Sequence, residues 1–263
     1  MREIPLGGGD VNIGENVVVR VGDTVRRPQG DRAQAVHALL RHFEAVGFDG
    51  APRFIGVDEQ GREVLSFVAG EAALKPVPPA DGVLEDIGLL LRRMHDAQAG
   101  FGLPGGLTWP PGLPVEPTPG SVVCHNDLFW PNVVFRNRRP FALIDWDLAA
   151  PAPRLYDVAS AANYWVPLRP DDQAEAWGLP TADRGPRLRL LCDAYGLDEE
   201  DRDRLLDVVA HCNRLGYAAH ERLGGLERRP GWREMWDAGS GAEMQARIAW
   251  FEAERDNLLA FLR

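Results

Sequence analysis

Several residues able to do chemistry lie in one short stretch of the chain. Residues 122–132 read Val-Val-Cys-His-Asn-Asp-Leu-Phe-Trp-Pro-Asn, which sets His125, Asp127 and Asn132 in the spacing H-x-D-x-x-x-x-N after an apolar run. A second apolar run ends at another carboxylate, Asp145. This grouping suits phosphoryl transfer, because that reaction requires alignment and charge neutralisation more than covalent help from the protein.

Each of these side chains has a role available to it in such a reaction. The Asp127 carboxylate can orient an acceptor hydroxyl and take its proton. The amide oxygen of Asn132 and the carboxylate of Asp145 can coordinate Mg²⁺ that bridges nucleotide phosphates. Both acids could instead be caps or turn residues, and Asp147 could be a second metal ligand or, as we favour here, a solvated or capping acid.

The basic residues restrict how phosphate could be bound. Of 29 lysine and arginine residues only Lys75 is lysine, and it lies in the proline-rich stretch 75–79. A Walker-type G-K-[ST] loop is therefore absent from the sequence. A phosphate clamp would have to use arginine, backbone N–H groups or a metal ion.

Composition excludes several other classes of protein. The net charge of −10 argues against nucleic-acid binding, and the longest apolar runs are far too short to span a membrane. Three cysteines without a C-x-x-C pair argue against a disulfide scaffold or a structural zinc site. We expect a globular cytoplasmic protein whose partners are nucleotide and small molecule.

The elements that would position the site change character along the chain. Residues 16–21, 24–27 and 63–68 read as strands, with Gly22-Asp23 as a two-residue hairpin turn between the first two. Residues 33–46 have the apolar spacing of a helix.

The rest of the chain predicts one further hairpin within a helical region. Residues 133–135 and 141–144 should form that hairpin, and it delivers Asp145. An amphipathic helix begins near Leu84, and the sequence is helical in pattern from Arg187 onward. The predicted fold is therefore α+β and two-lobed, with a small β-rich lobe at residues 1–70 and a larger helical lobe at 71–263.

The motifs in this order resemble those of the aminoglycoside phosphotransferase family, whose fold is related to that of protein kinases. The resemblance extends over nearly the whole chain. Its segments are the glycine loop at residues 6–12, the hinge at 63–71, the catalytic loop at 125–132, the metal segment at 144–147 and the stretch 153–159. The catalytic and metal segments are specific motifs, whereas the glycine run and the hinge are weak ones by themselves.

The resemblance implies roles for residues outside the two specific motifs. ATP would bind with its adenine on the hinge backbone at Ser66 and Val68, and Gly8 and Gly9 would let the first loop approach its phosphates. His125 would brace the catalytic loop. Asp157 would tie that loop to the following helix.

The sequence departs from the family pattern at the phosphate clamp. The family places a lysine on its third strand, paired with a glutamate on the next helix, but residues 24–27 read Thr-Val-Arg-Arg and the helix offers Val36-His37. We expect Arg26 to replace the lysine, because arginine binds phosphate bidentately. Arg27 is the alternative, since neighbouring residues of a strand point to opposite faces.

The expected activity is that of a small-molecule kinase that uses Mg²⁺ and ATP, with GTP as another possible donor. The acceptor hydroxyl could belong to an aminoglycoside-like antibiotic, a sugar or an amino alcohol, and no motif selects among them. Acids in the C-terminal helices could meet a polycation or form an ordinary solvated face. The missing lysine and glutamate motivate an alternative, a nucleotide-binding pseudokinase with a regulatory role. A metal-dependent phosphohydrolase is a weaker reading, because two-metal sites need more clustered ligands.

Overall fold

A computed structural model describes residues 2–6, 18–30, 32–72, 81–103, 105–109 and 118–263. The chain forms two compact units. Unit 1 comprises Met1–Leu74, Arg93–Asp127 and Pro131–Pro153, and unit 2 comprises Lys75–Arg92, Leu128–Trp130 and Arg154–Arg263. Gly8 and Gly9 lie outside the described residues, so the predicted glycine loop stays a prediction, as does the lobe boundary at residue 70.

The first part of unit 1 is an antiparallel five-stranded sheet. Its strands are β1 (Ile4–Pro5), β2 (Val19–Val21), β3 (Thr24–Pro28), β4 (Phe54–Val57) and β5 (Arg62–Ser66), in the order β1-β2-β3-β5-β4. The predicted two-residue hairpin turn is confirmed: Val21 pairs with Thr24, and Gly22 has a φ of 62°, which glycine adopts without steric cost.

One helix packs against this sheet. Helix α1 (Ala33–Ala45) confirms the helix predicted at residues 33–46 and buries an apolar face that includes Leu39, Leu40 and Phe43. The same face carries a polar residue, His37, whose ring stacks on Phe54 of β4 with 3.7 Å between ring centroids. The helix thus delivers an imidazole to the sheet.

The second part of unit 1 carries two smaller sheets. Strand β6 (Glu71–Ala72) pairs with β8 (Val133–Arg136), which pairs with β9 (Arg139–Leu143), and β7 (Val122–Cys124) pairs with β10 (Ala150–Ala152). The predicted β8–β9 hairpin is confirmed. Its two-residue turn has both Asn137 and Arg138 at positive φ, the backbone that matches the twist of the flanking strands.

Unit 2 is helical, which together with the sheets of unit 1 confirms the α+β fold class. Its helices are α2 (Asp81–Asp96, whose last residues belong to unit 1), α3 (Leu155–Trp165), α4 (Asp171–Ala176), α5 (Arg184–Tyr195), α6 (Glu199–His220), α7 (Trp232–Asp237) and α8 (Ser240–Leu262). Helix α6 packs against α3 and α8, and α5 packs against α8. None of the described helices has the length and apolar character needed to cross a membrane.

A glycine permits the close approach of α2 to α5. A Cβ atom at Gly88 would lie 2.9 Å from the Cβ atom of Ala194, 2.9 Å from the backbone nitrogen of Tyr195 and 3.0 Å from the carbonyl oxygen of Leu191. Two of these atoms are backbone, so a side chain at this position would force the helices apart. Gly82 lies in the same helix, and a Cβ atom there would have no neighbour within 4 Å.

We therefore expect Gly88→Ala to lower the free energy of unfolding by roughly 1–3 kcal/mol through overpacking. The control Gly82→Ala should leave it unchanged or raise it by up to about 1 kcal/mol, because alanine is the better helix former. Urea denaturation followed by circular dichroism measures both. Equal effects of the two substitutions would contradict the packing of α2 on α5.

Candidate active site

The predicted catalytic loop follows the buried strand β7 and is held by a histidine. His125 is fully buried, with Nε2 3.0 Å from the carbonyl oxygen of Ile144 and Nδ1 3.4 Å from the backbone nitrogen of Asp127. A ring that donates from Nε2 and accepts at Nδ1 is the neutral tautomer. The edge of this ring meets Trp146, with 4.7 Å between centroids. His125 therefore links the backbone of Asp127 to the carbonyl of Ile144, the residue before Asp145.

Asp127 and Asn132 meet across the short turn that separates them. The Nδ2 atom of Asn132 donates to Oδ2 of Asp127 at 2.8 Å and to the Asp127 carbonyl oxygen at 3.2 Å. This use of the amide nitrogen leaves Oδ1 of Asn132 as the atom that could ligate a cation. The backbone N–H of Ile144 donates to the Asn132 carbonyl at 2.9 Å and so fastens this turn to the chain that carries Asp145.

Asp145 stands just beyond β9 in a left-handed backbone conformation, with a φ of 63°. Non-glycine residues enter this region at an energetic cost, and they persist there only where their surroundings hold them. Here the side chain is held as well, because Oδ1 of Asp145 accepts from Arg27 at 3.0 Å.

Arg27 of β3 is the centre of the charged group. Its Nε donates to Oε1 of Glu63 at 2.5 Å, one terminal nitrogen donates to Asp145, and the other donates to Asp147. Glu63 is buried, and the Arg27 side chain is 11% exposed. We call Arg27, Glu63, Asp145, Asp147 and His37 the arginine cluster.

Two opposing effects act on the pKa of Arg27: burial, and the carboxylates that surround it. Burial acts to lower it, but the charges of Asp145 and Glu63 and the hydrogen bonds to both raise the pKa above its usual value. Even with a protonated His37, the three carboxylates of the cluster outnumber its cations. The cluster therefore keeps excess negative charge, which a divalent cation would offset.

Glu63 of the arginine cluster also contacts a residue of helix α1. His37 of α1 places Nε2 2.6 Å from Oε2 of Glu63, and both groups are buried. Glu63 lies directly opposite Arg27 in the pairing of β5 with β3. A cation–glutamate pair is thus present, with an arginine on β3, a glutamate on β5 and a histidine on the helix.

The structure corrects the choice between the two arginines. We predicted that Arg26 points into the site, and this orientation is wrong: Arg26 points to the opposite face, where its Nε lies 3.7 Å from Oδ2 of Asp58. Asp147 also differs from expectation, since it pairs with Arg27 and is not simply a solvated or capping acid. Sequence reasoning named Arg27 only as the alternative and missed Glu63 and His37 as its partners, because the register of β3 against β5 and the packing of α1 bring these residues together.

The predicted hinge residues lie at and after the end of β5. Ser66 uses its backbone N–H to donate to the Arg53 carbonyl at 2.8 Å, and its hydroxyl accepts from the Arg53 N–H at 2.8 Å. Its carbonyl oxygen is therefore the backbone group that an adenine amino group could reach. Val68 follows two residues later and is half-buried. Their contact with nucleotide stays a prediction.

Asp157 lies in unit 2, fully buried in the first turn of α3. Burial raises the pKa of the Cys212 thiol of α6 to about 12, and the Asp157 charge adds to that effect. Asp157 is therefore close to α6 as well as being at a helix N-terminus, where a negative charge is favourable. Its predicted tie to the catalytic loop stays a prediction.

Comparison with known proteins agrees with this fold. A profile of the phosphotransferase enzyme family matches residues 106–191, which include the catalytic loop and the Asp145 segment. The trifolitoxin immunity protein of Rhizobium leguminosarum bv. trifolii is 38% identical over 217 residues, covering 80% of this chain and 81% of that protein.

Solved structures share the fold at low sequence identity. A choline/ethanolamine kinase family protein from Mesorhizobium loti has a TM-score of 0.64 at 19% identity, covering 100% of this chain and 92% of that one. The amicoumacin kinase in complex with AMP-PNP, Ca²⁺ and Ami has a TM-score of 0.62 at 13% identity, covering 98% of this chain and 88% of that one.

The family match and the shared fold identify a kinase-like small-molecule phosphotransferase. The chain belongs to the phosphotransferase enzyme family, the family that its catalytic and metal motifs resemble.

The geometry predicts different consequences for the two arginines of β3. Arg27→Met removes the cation beside Asp145, so Mg-ATP binding should weaken about ten- to a hundredfold, the usual effect of losing hydrogen bonds to charged groups. Arg26→Met should change it by less than about threefold. Calorimetric titration measures both, with a thermal melt to verify folding. A larger loss for Arg26→Met would contradict the assignment.

Proposed function

We propose that the protein transfers the γ-phosphoryl group of ATP to a hydroxyl group of a small molecule. One observation carries the proposal: Asp127, Asn132 and Asp145 are joined by direct and backbone hydrogen bonds in unit 1, with the arginine cluster around Asp145. The order of these residues and their spacing are those of phosphoryl-transfer enzymes.

Asp127 is the catalytic base in this proposal. Its carboxylate accepts the proton of the acceptor hydroxyl while that oxygen bonds to the γ-phosphorus. The bond from the γ-phosphorus to the bridging oxygen breaks, and ADP leaves. Asn132, bonded to one carboxylate oxygen of Asp127, keeps the other oriented toward the acceptor.

The donor set fits a magnesium ion. Asn132 offers an amide oxygen and Asp145 a carboxylate, the hard oxygen donors that Mg²⁺ takes, and the excess negative charge of the cluster favours a divalent cation. Bound there, Mg²⁺ would neutralise charge on the transferring phosphates. Arg27 would contribute a fixed positive charge on the same side.

The pseudokinase alternative rested on a missing lysine and a missing glutamate. Arg27 and Glu63 form such a cation–carboxylate pair from different elements, at 2.5 Å. Arginine stays charged at every physiological pH and can bind phosphate with two nitrogens. The pair therefore favours the active enzyme.

The relatives support a narrower class of acceptor. The 38% identical relative is named for immunity to trifolitoxin, and structural neighbours are named for phosphorylating spectinomycin and for amicoumacin. We infer that the acceptor is a toxic small molecule with a free hydroxyl. Sugars and amino alcohols are the other candidates, the latter because of an aminopropanol kinase among the neighbours.

Asp127→Asn tests the proposal. With hydroxyl-bearing antibiotics, sugars and amino alcohols as acceptors, we expect ADP release to fall at least about a hundredfold, because a positioned general base contributes that much. Mg-ATP affinity should be unchanged, since Asp127 acts on the acceptor. Asp49→Asn, which removes an exposed acid paired with Arg93, is the control and should keep parental turnover. Near-parental turnover in Asp127→Asn would refute the role of Asp127.

A further inference from the structure

A buried arginine in unit 2 lacks the partners that such a group needs. Arg169, between α3 and α4, is 2% exposed, and its guanidinium lies 3.7 Å from the centre of the Trp177 ring. One terminal nitrogen donates to the Asn163 carbonyl at 3.1 Å, but the buried Nε atom has no hydrogen-bond partner. Burying an arginine this way is costly unless an anion completes the site.

A second arginine, Arg247, places another positive charge near Arg169. Arg247 of α8 is half-buried, and its Nε atom is also buried without a partner. Burial lowers the pKa of Arg169, and the charge of Arg247 lowers it further, to about 9. In the part of the chain that the structure describes, neither arginine has a carboxylate within 4.0 Å. Glu243 acts on Arg169 from a greater distance, and its side chain is exposed.

A neighbouring arginine shows what a structural role looks like here. Arg184 uses all of its nitrogens, donating to the Pro167 carbonyl at 3.0 Å, the Arg169 carbonyl at 3.0 Å and the Asp171 carboxylate at 2.7 Å. All three donor groups of this partly buried guanidinium are therefore used within the chain. The unused donors of Arg169 and Arg247 point to a ligand.

Three half-exposed aromatic rings form a cluster that contacts Arg169 through Trp177. Phe129 lies 5.3 Å from Tyr164 and 6.5 Å from Trp177, measured between ring centroids. Tyr164 raises the pKa of both arginines, so its side chain is near both of them. A site with two cations and three aromatic rings has affinity for a flat or apolar molecule that carries an anionic group.

We propose that Arg169 and Arg247 bind the carboxylate of the acceptor, whose apolar or aromatic body packs on Phe129, Tyr164 and Trp177. The proposal rests on the phosphotransferase function proposed above, and Phe129 follows the proposed base Asp127 by two residues in the chain. It names a substrate class: a hydroxyl-bearing carboxylic acid with an apolar or aromatic part. A polycationic acceptor would be repelled by two unpaired arginines.

Binding of a matched pair of probes tests the site without any turnover. The probes are 3-phenylpropanoate and its neutral analogue 3-phenylpropanamide, titrated at constant ionic strength and followed by tryptophan fluorescence and calorimetry. The acid should bind at least about tenfold more tightly than the amide, since charge-assisted hydrogen bonds contribute that much. Equal binding of the two probes would overturn the proposal.

Substitutions at Arg247 test whether the arginines cause the preference for the acid over the amide. Arg247→Gln should abolish the preference for the acid, and Arg247→Lys should keep part of it, because lysine retains the charge and loses the planar fork. The matched control Arg214→Gln removes an exposed arginine paired with Glu252 at 3.4 Å and should keep the full preference. A full preference in Arg247→Gln would also overturn the proposal. Thermal melts verify folding, and Arg247→Lys provides a second reading if Arg247→Gln does not fold.

Binding and turnover measured together distinguish a failure of the anion site from a failure of the proposed function. Asp127→Asn should bind the acid as the parent does, because it leaves unit 2 unaltered. If the acid probe binds preferentially but no hydroxyl compound of any class is phosphorylated, the phosphotransferase proposal fails and the anion site stands. If neutral hydroxyl compounds are phosphorylated but the protein binds the acid probe no more tightly than the amide, the anion site fails and the phosphotransferase proposal stands.

Discussion

The arrangement of unit 1 depends on one guanidinium group. Arg27 donates from three nitrogens to three carboxylates, one on β5 and two in the turn after β9, so a single side chain connects the five-stranded sheet to the segment that carries Asp145. Buried charges are stable only together, because removal of one partner leaves the others desolvated and unpaired. Glu63, which is buried, depends on Arg27 and His37, and the partly exposed Asp145 and Asp147 pair with Arg27. The group also keeps a negative excess that suits a metal–nucleotide substrate.

A buried histidine bonds the segment that carries Asp127 to the segment that carries Asp145. His125 is buried between the Asp127 backbone and the Ile144 carbonyl, while the Asn132 carbonyl accepts from the Ile144 N–H. The proposed base Asp127 and the candidate metal ligands are therefore positioned by hydrogen bonds to the backbone and by the buried His125 side chain. Such preorganisation is what phosphoryl transfer requires of a protein, since charge develops on the phosphates and not on protein groups.

The sequence predicted what is local and missed what depends on strand register. The H-x-D-x-x-x-x-N spacing, the β8–β9 hairpin and helix α1 each depend on contiguous residues, so the sequence alone predicts them. Arg27 and Glu63 are 36 positions apart, and only the pairing of β3 with β5 shows that they face each other. The period of two along β3 places Arg26 and Arg27 on opposite faces of the sheet but does not tell which of the two faces the site. Arg169 and Arg247 lie on separate elements of unit 2 and form no motif at all.

A double-mutant cycle on Arg27 and Glu63 tests the central claim most directly. Mg-ATP dissociation constants would be measured for the parent, Arg27→Met, Glu63→Gln and the double variant. If Glu63 acts through Arg27, the double variant should bind about as weakly as Arg27→Met alone, with a coupling of at least about 1.4 kcal/mol, a factor of ten. Additive effects of the two substitutions would show that the residues act independently, and would contradict the account.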